Sequence, residues 1–467
     1  MMSPGERMLA IATPVVAMAA VGAGLGLGSS GAVRAAVVFG ARAAQAKTGL
    51  SWQVLVEQEE HGLREPVADV PVEVEARAGA RTATWSGRTN PDGVAESIVG
   101  LPVDDGVELE VRSSGVVLAS GLAPPPPARR ETQESPWSRF ARREGPVVLD
   151  VAVVGARVAP GFGADVWVRA QDAVSHQPVP GATIEAQEDP SLASVTRGAR
   201  TDSRGWCHLV VTPVGLAIGL ELEARTPDGR KGTWIGGLFA SPGAAAITTR
   251  ARWSPDEPVE IDVSAPPTRS AVYVEIDDAS GRAWATWSAL APSQGFPPRA
   301  GIRAPGLPAG LYWAVAASDA TGASALGSGT SARPFFVAAS DDAALALGGD
   351  PEACAPARDL REMDRALSTC LALAVPRPVE RWKALDGFDA QRARSARRRS
   401  HGLALALGAV GLAVLLEAAL ILRSAASARI DLGTARPAER QRWSVAVAVL
   451  AGLLGFALLA AFLARLA

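Results

Sequence analysis

Val179-Pro180-Gly181-Ala182-Thr183-Ile184-Glu185-Ala186, followed further on by Thr201-Asp202-Ser203-Arg204-Gly205-Trp206-Cys207, is the stretch from which the fold of this chain is read. Ala182, Ile184 and Ala186 fall at alternate positions, the period of a half-buried strand. Pro180 suits the entry to such a strand, where a ladder N–H is not needed. Thr-x-x-x-Gly then predicts a turn opening a further strand. The same order occurs earlier, where Val70-Pro71-Val72-Glu73-Val74-Glu75-Ala76 leads to Thr89-Asn90-Pro91-Asp92-Gly93-Val94-Ala95. Two copies of one module are therefore expected.

Outward from these copies the same grammar continues. Trp52 to Glu57, Val107 to Arg112 and Val147 to Val154 alternate, and Asp104-Asp105-Gly106 and Pro227-Asp228-Gly229 supply turns between strands. A third module is placed at about 246 to 338. It contains Ala271 to Ile276, the turn Asp277-Asp278-Ala279-Ser280-Gly281, and late strands in Leu307 to Trp313 and Arg333 to Val337. Short strands at this spacing point to antiparallel β-sandwiches.

The segment from Ala159-Pro160-Gly161 through Pro180-Gly181-Ala182 to Thr201-Asp202 and Gly205 resembles the immunoglobulin-like modules of bacterial membrane-anchored surface proteins, including macroglobulin-like and carboxypeptidase-regulatory-like domains. The resemblance implies a fold and leaves activity unspecified. Full macroglobulins trap proteases through a thioester in a Cys-Gly-Glu-Gln run. Here Cys207 precedes His208, Cys354 precedes Ala355 and Cys370 precedes Leu371, so thioester trapping is not supported.

The expected class is mainly β: tandem antiparallel sandwich modules, a short helical juxtamembrane segment and a C-terminal transmembrane helical hairpin. The expected divisions are 1–46, a signal peptide or N-terminal anchor; 47–123, module 1; 124–145, a Pro/Arg-rich linker; 146–245, module 2; and 246–340, module 3. Then come 341–401, helical; 402–422, a membrane helix; 423–442, a cytoplasmic loop; and 443–464, a second membrane helix. Residues 8–28 are uncharged, longer than the usual signal core, and fit either a cleaved leader or a retained anchor. Val33-Arg34-Ala35 and Ala44-Gln45-Ala46 are candidate cleavage sites. Residues 402–422 and 443–464 each reach the roughly 20 apolar residues that cross a bilayer core. Arg residues flank the first of them on both sides, so orientation rests on the N-terminal export signal and on the character of the middle. The linker carries Pro124 to Pro127 and, around Trp137 and Phe140, reads as a spacer or as a docking peptide.

From Pro356, Leu360, Met363, Leu367, Leu371 and Ala374 share a helical face, and a second helix is expected from near Pro378, carrying Val379, Trp382 and Leu385. Cys354 and Cys370 invite a disulfide, but an unbroken helix over 358–374 would carry Cys370 roughly 18 Å beyond its start, whereas bonding needs Cα atoms within about 7 Å. The pairing is left open. Glu417, inside an apolar run, is a candidate contact to a membrane partner or leans toward the headgroups. Arg397, Arg398 and Arg399, with Arg392 and Arg394, form a candidate headgroup-binding collar.

With 46 basic and 48 acidic residues the formal charge is -2, which gives no drive toward nucleic acid. His61, His176, His208 and His401 lie on separate segments, and nucleophile-elbow, zincin, phosphate-loop and dinucleotide motifs do not occur in the exported region. His208 reads as a structural histidine, on the opposite sheet face from Cys207. Asp104-Asp105 and Asp277-Asp278 read as hairpin turns rather than calcium loops. No catalytic residue, metal or cofactor is expected. The expected function is a non-enzymatic protein of the bacterial cytoplasmic membrane whose periplasmic tandem domains bind or scaffold an envelope protein. The alternative is an accessory or sensory subunit of a multi-component membrane complex.

Overall fold

The computed structural model describes residues 32–44, 50–60, 62–99, 106–127, 137–138, 141–293, 296–320, 329–355, 360–376 and 379–431, together with Val15, Ala19 and Ser135. Two compact units are formed. One contains Met1–Ala36, Val56–Pro66 and Asp386–Ala467, and the other Val37–Leu55 and Val67–Leu385.

The first module is built from β1 (Val33–Arg42), β2 (Leu50–Glu60), β3 (Leu63–Pro66), β4 (Pro71–Ala78), β5 (Arg81–Arg88), β6 (Val94–Val99), β7 (Val107–Ser113) and β8 (Val116–Ala123). One sheet runs β5-β4-β7-β8; the other holds β1, β2 and β3 in order, with β6 also paired to β2. This module starts inside the segment expected to be leader or anchor. Ala35, Ala36 and Val38 are fully buried, so this apolar run is strand core; a cut after Ala35 would remove the first three residues of β1, and one after Ala46 would sever β1 from β2.

The second module comprises β9 (Ala141–Glu144), β10 (Val147–Val153), β11 (Ala164–Asp172), β12 (Thr183–Ala186), β13 (Leu192–Val195), β14 (Ala199–Arg200), β15 (Trp206–Pro213), β16 (Ala217–Arg225) and β17 (Lys231–Phe239). Its sheets are β10-β11-β15-β13 and β14-β12-β16-β17-β9. Numbered as in an immunoglobulin sandwich, these are A-B-E-D facing C-F-G, with β14 and β9 added at the two edges. The third module, β18 (Ala246–Thr248), β19 (Arg252–Trp253), β20 (Val259–Ser264), β21 (Ala271–Asp278), β22 (Arg282–Ala289), β23 (Ala291–Ser293), β24 (Phe296–Ala304), β25 (Gly310–Ala317) and β26 (Ser331–Val337), repeats the plan. Its sheets are β18-β20-β24-β23 and β19-β26-β25-β21-β22. In both modules alternate strand positions supply the core, Leu149, Val168, Leu209 and Trp234 in one, Ile261, Val274, Ile276 and Phe335 in the other.

The sequence repeat has a concrete cause. Thr201 Oγ1 accepts from Ala182 N at 2.8 Å and donates to Val179 O at 2.8 Å. Thr89 Oγ1 accepts from Val70 N at 2.9 Å and donates to Val67 O at 2.7 Å. Each buried hydroxyl thus ties the turn to the start of the Pro-led strand. Asp202 Oδ1 accepts from Arg204 N and Trp206 N, and Asn90 Oδ1 from Asp92 N and Val94 N, closing the two turns alike. Gly205 has φ +77°, and a Cβ there would lie 2.5 Å from Ala170 O, so only glycine fits.

After the third module come α1 (Asp341–Ala346), α2 (Leu360–Ala372), β27 (Arg381–Asp386) and α3 (Gly387–Asp431). The helix expected from Pro378 is a strand first: β27 lies beside β1 in the sheet of the first module. The Arg-Trp-Lys-Ala-Leu-Asp pattern is too short to distinguish the two periods, and tertiary pairing decides it. Part of the expected linker is also structured, because Ala141–Glu144 pairs with Thr233–Gly236 of β17. In the smaller unit, Arg392 pairs with Glu59 and with Asp389, and the Arg64 guanidinium lies 3.9 Å over the Phe388 ring. Within α3, Gly387–Leu416 is the one helix among the described residues long and apolar enough to cross a bilayer, and it overlaps the expected span 402–422. The expected second span, 443–464, lies outside the described residues, as do the side chains of Glu417, Arg398 and Arg399.

Candidate functional site

Cys354 and Cys370 are joined, with Cα atoms 4.6 Å apart. The geometric objection assumed that the helix starts near 358 and leads straight away from Cys354. Instead Asp350 Oδ1 accepts from Glu352 N and Ala353 N, forming a turn that lays Cys354 alongside the last turn of α2. Cys207 is buried in the core of the second module, where desolvation pushes its thiol up to about 12.

The disulfide clamps α2 to the turn at Cys354, and the two together pack against two sandwiches. On the side of the third module, Phe336, Leu345, Ala366, Leu367 and Leu371 share one core. On the side of the second module, Trp206 and Trp167 project from the outer face of the A-B-E-D sheet and are covered by Ala353, Ala372 and Trp137. Trp137 stacks on Trp206 with centroids 5.6 Å apart, so the Trp of the expected spacer docks within its own chain. Phe140 lies outside the described residues. Arg169–Glu352 and Arg365–Asp202 ion pairs, with an Arg204 hydrogen bond to Ala355 O, fasten the helical segment further.

A cleft of about 360 Å³ remains where these three bodies meet, lined by residues including Asp165, His208, Arg333, Asp364, Arg365 and Ser368. Strand parity puts His208 here: it lies opposite Trp167 across β11 and β15, pointing away from Cys207. His208 Nε2 is 2.8 Å from Asp165 Oδ1, and Arg333 Nη1 from β26 pairs with Asp165 Oδ2. Burial pushes the Asp165 carboxyl up, but the His208 hydrogen bond and the Arg333 charge outweigh it and bring the pKa to about 2. This carboxylate is therefore anionic and shared between two modules. The apolar walls include Val154, Trp167, Ala251, Pro334 and Leu371.

His208 is engaged by Asp165, and that carboxylate, Arg333 and Arg365 were not singled out in the sequence. Their contact depends on inter-module packing, which no local pattern encodes. Asp278, considered as a calcium ligand, spends Oδ1 on Ser280 N, Ser280 Oγ and Gly281 N, the hydrogen bonds of a hairpin turn. Asp104 and Asp105 lie outside the described residues.

No family model and no curated protein matches the chain. Solved structures similar to it include an Escherichia coli adhesin, FdeC, at 13% identity over 66% of this chain and 98% of that one, TM-score 0.17. The bacterial integrin-binding protein invasin is similar at 12% identity over 65% and 60%, TM-score 0.16. Escherichia coli α2-macroglobulin follows at 12% identity over 66% of this chain and 35% of that one, TM-score 0.17. At these scores the likenesses carry no argument about function, and the immunoglobulin-like assignment rests on the strand order itself.

Proposed function

We propose that the chain is a non-enzymatic, membrane-anchored protein of the bacterial envelope that presents three tandem immunoglobulin-like modules outside the cytoplasmic membrane as a binding or scaffolding surface. The single observation that carries this reading is the Cys354–Cys370 bond between the last sandwich and the apolar helix α3. Structural disulfides persist in oxidising compartments, so the bond favours export of everything up to α3. Strand-built sandwiches with an inter-module cleft supply surface rather than a nucleophile with its base. Reporter fusions at Gly229 and Gly433 test it: alkaline phosphatase should be active at the first position and inactive at the second. Activity on one side for both, or the reverse pattern, rejects the topology on which the reading stands.

A further inference from the structure

We infer that the cleft between the second module, the third module and α2 binds the carboxylate end of an apolar peptide chain, with Arg365 and Arg333 as its anchors. This deepens the reading above, a binding surface made by the tandem modules, and assigns that surface a ligand class.

The polar chemistry of the cleft is weighted toward donors. Asp165 has one oxygen on His208 and the other on Arg333, so each of its oxygens already has a partner. Arg333 spends one Nη on that carboxylate, and a guanidinium has five N–H groups. Among the described residues Arg365 meets Asp202 at 3.8 Å, and it keeps 45% of its side chain exposed. Ser368, one turn along α2, adds a hydroxyl to the same lining. A planar carboxylate is the group that guanidinium forks bind in bidentate fashion.

The charge total selects among anions. Two Arg and two Asp side chains, Asp165 and Asp364, line the cleft. These charges balance, so a dianionic phosphate would bring two uncompensated charges and their desolvation cost into the cleft, whereas a carboxylate brings one. The walls argue for what the carboxylate carries. Val154, Trp167, Pro334 and Leu371 form an apolar surface, and about 360 Å³ lies at the low end of ligand pockets, room for a residue or two rather than a folded partner. The free end of a chain with an aliphatic last side chain meets both requirements. The site is also held rigid before the ligand arrives, by the disulfide and by the ion pairs of Arg169 and Arg333, so little ordering cost opposes binding.

The test is calorimetric titration of the purified full chain in detergent micelles with N-acetyl-alanyl-leucine. The controls are its C-terminal amide, N-acetylglycine and inorganic phosphate. Saturable binding of the acid is expected, with the amide and N-acetylglycine each weaker by about tenfold or more. Arg365→Gln should weaken the acid by about tenfold and leave the amide unchanged. Its side chain is half-exposed, so circular dichroism should match the parent. Ser368→Ala, a conservative change, should weaken the acid by less. No saturable binding of the acid up to about 10 mM, equal binding of acid and amide, or tighter binding of phosphate overturns the inference. These measurements do not depend on which side of a membrane the modules occupy, so their failure is distinct from a failed topology test.

Discussion

Asp277 and Asp165 show how partners decide the outcome of burial: desolvation raises both carboxyl groups, and only at Asp165 do a hydrogen bond and a facing charge outweigh it. Asp277, fully buried at the end of β21, is pushed by desolvation to about 7, with the Arg282 charge opposing and the Asp278 charge adding to the rise. Its folded pKa lies above the unfolded one, so the folded state holds a proton that the unfolded state releases. Stability from this group is full below about pH 4 and falls as pH rises toward 7, by at most about 4 kcal/mol. Asp277→Asn should therefore flatten the pH dependence of urea unfolding between about pH 4 and 7 and stabilise the chain at neutral pH. Asp165 has the opposite sign. Its pKa of about 2 lies below the unfolded value, so its contribution is present above about pH 4 and is lost as pH falls toward 2. Asp165→Asn should destabilise at neutral pH by roughly 2 kcal/mol and lose that penalty in acid, read by the same titration. A variant profile parallel to the parent's would refute either assignment.

Among the elements, the turn that made the sequence readable is the one whose chemistry is most local. Thr201→Val removes a buried hydroxyl that both donates and accepts, leaving Ala182 N and Val179 O without it. The expected loss is roughly 1–3 kcal/mol in a denaturant midpoint, and Thr89→Val should cost the first module a similar amount. An unchanged midpoint would contradict the shared role. The sandwich class and its repeat were legible because Thr, Asp or Asn, and Gly act within their own turn. The start of β1 was not, because Ala35 to Val38 continue the apolar character of the preceding stretch and only pairing with another strand distinguishes them. Nor was β27, whose six residues owe their conformation to a sheet formed more than 300 positions earlier in the chain. The cleft was least legible: parity placed His208 on an outer face, but Asp165, Arg333 and Arg365 come from two modules and a helix, and nothing in a single segment announces their meeting.

Over the molecule as a whole, the larger unit is not a string of independent beads. Arg381 of β27 is paired with Glu275 of the third module and donates to Gln53 Oε1 of the first at 2.7 Å. Arg282 of the third module pairs with Glu96 and donates to Ser51 Oγ at 3.0 Å, both in the first module. Exposure is 4% for Arg381, 2% for Glu275 and 1% for Arg282, so these charges depend on one another rather than on solvent. Desolvation holds the Arg381 pKa below the ordinary guanidinium value, and Glu275 lies between the two guanidinium groups. Neutralising a central member of a buried ion cluster costs about 3–5 kcal/mol, because the remaining charges stay buried without compensation. Glu275→Gln is therefore expected to weaken the joint shared by the first module, the third module and β27, while the cores around Leu149 and Phe335 stay intact. Differential scanning calorimetry of the full chain should show one main transition for the parent and a lower-temperature component split from it in the variant, accompanied by new protease cleavage around β27. A uniform shift of a single transition would mean that Glu275 serves only its own sandwich and that the buried cluster is no joint between modules.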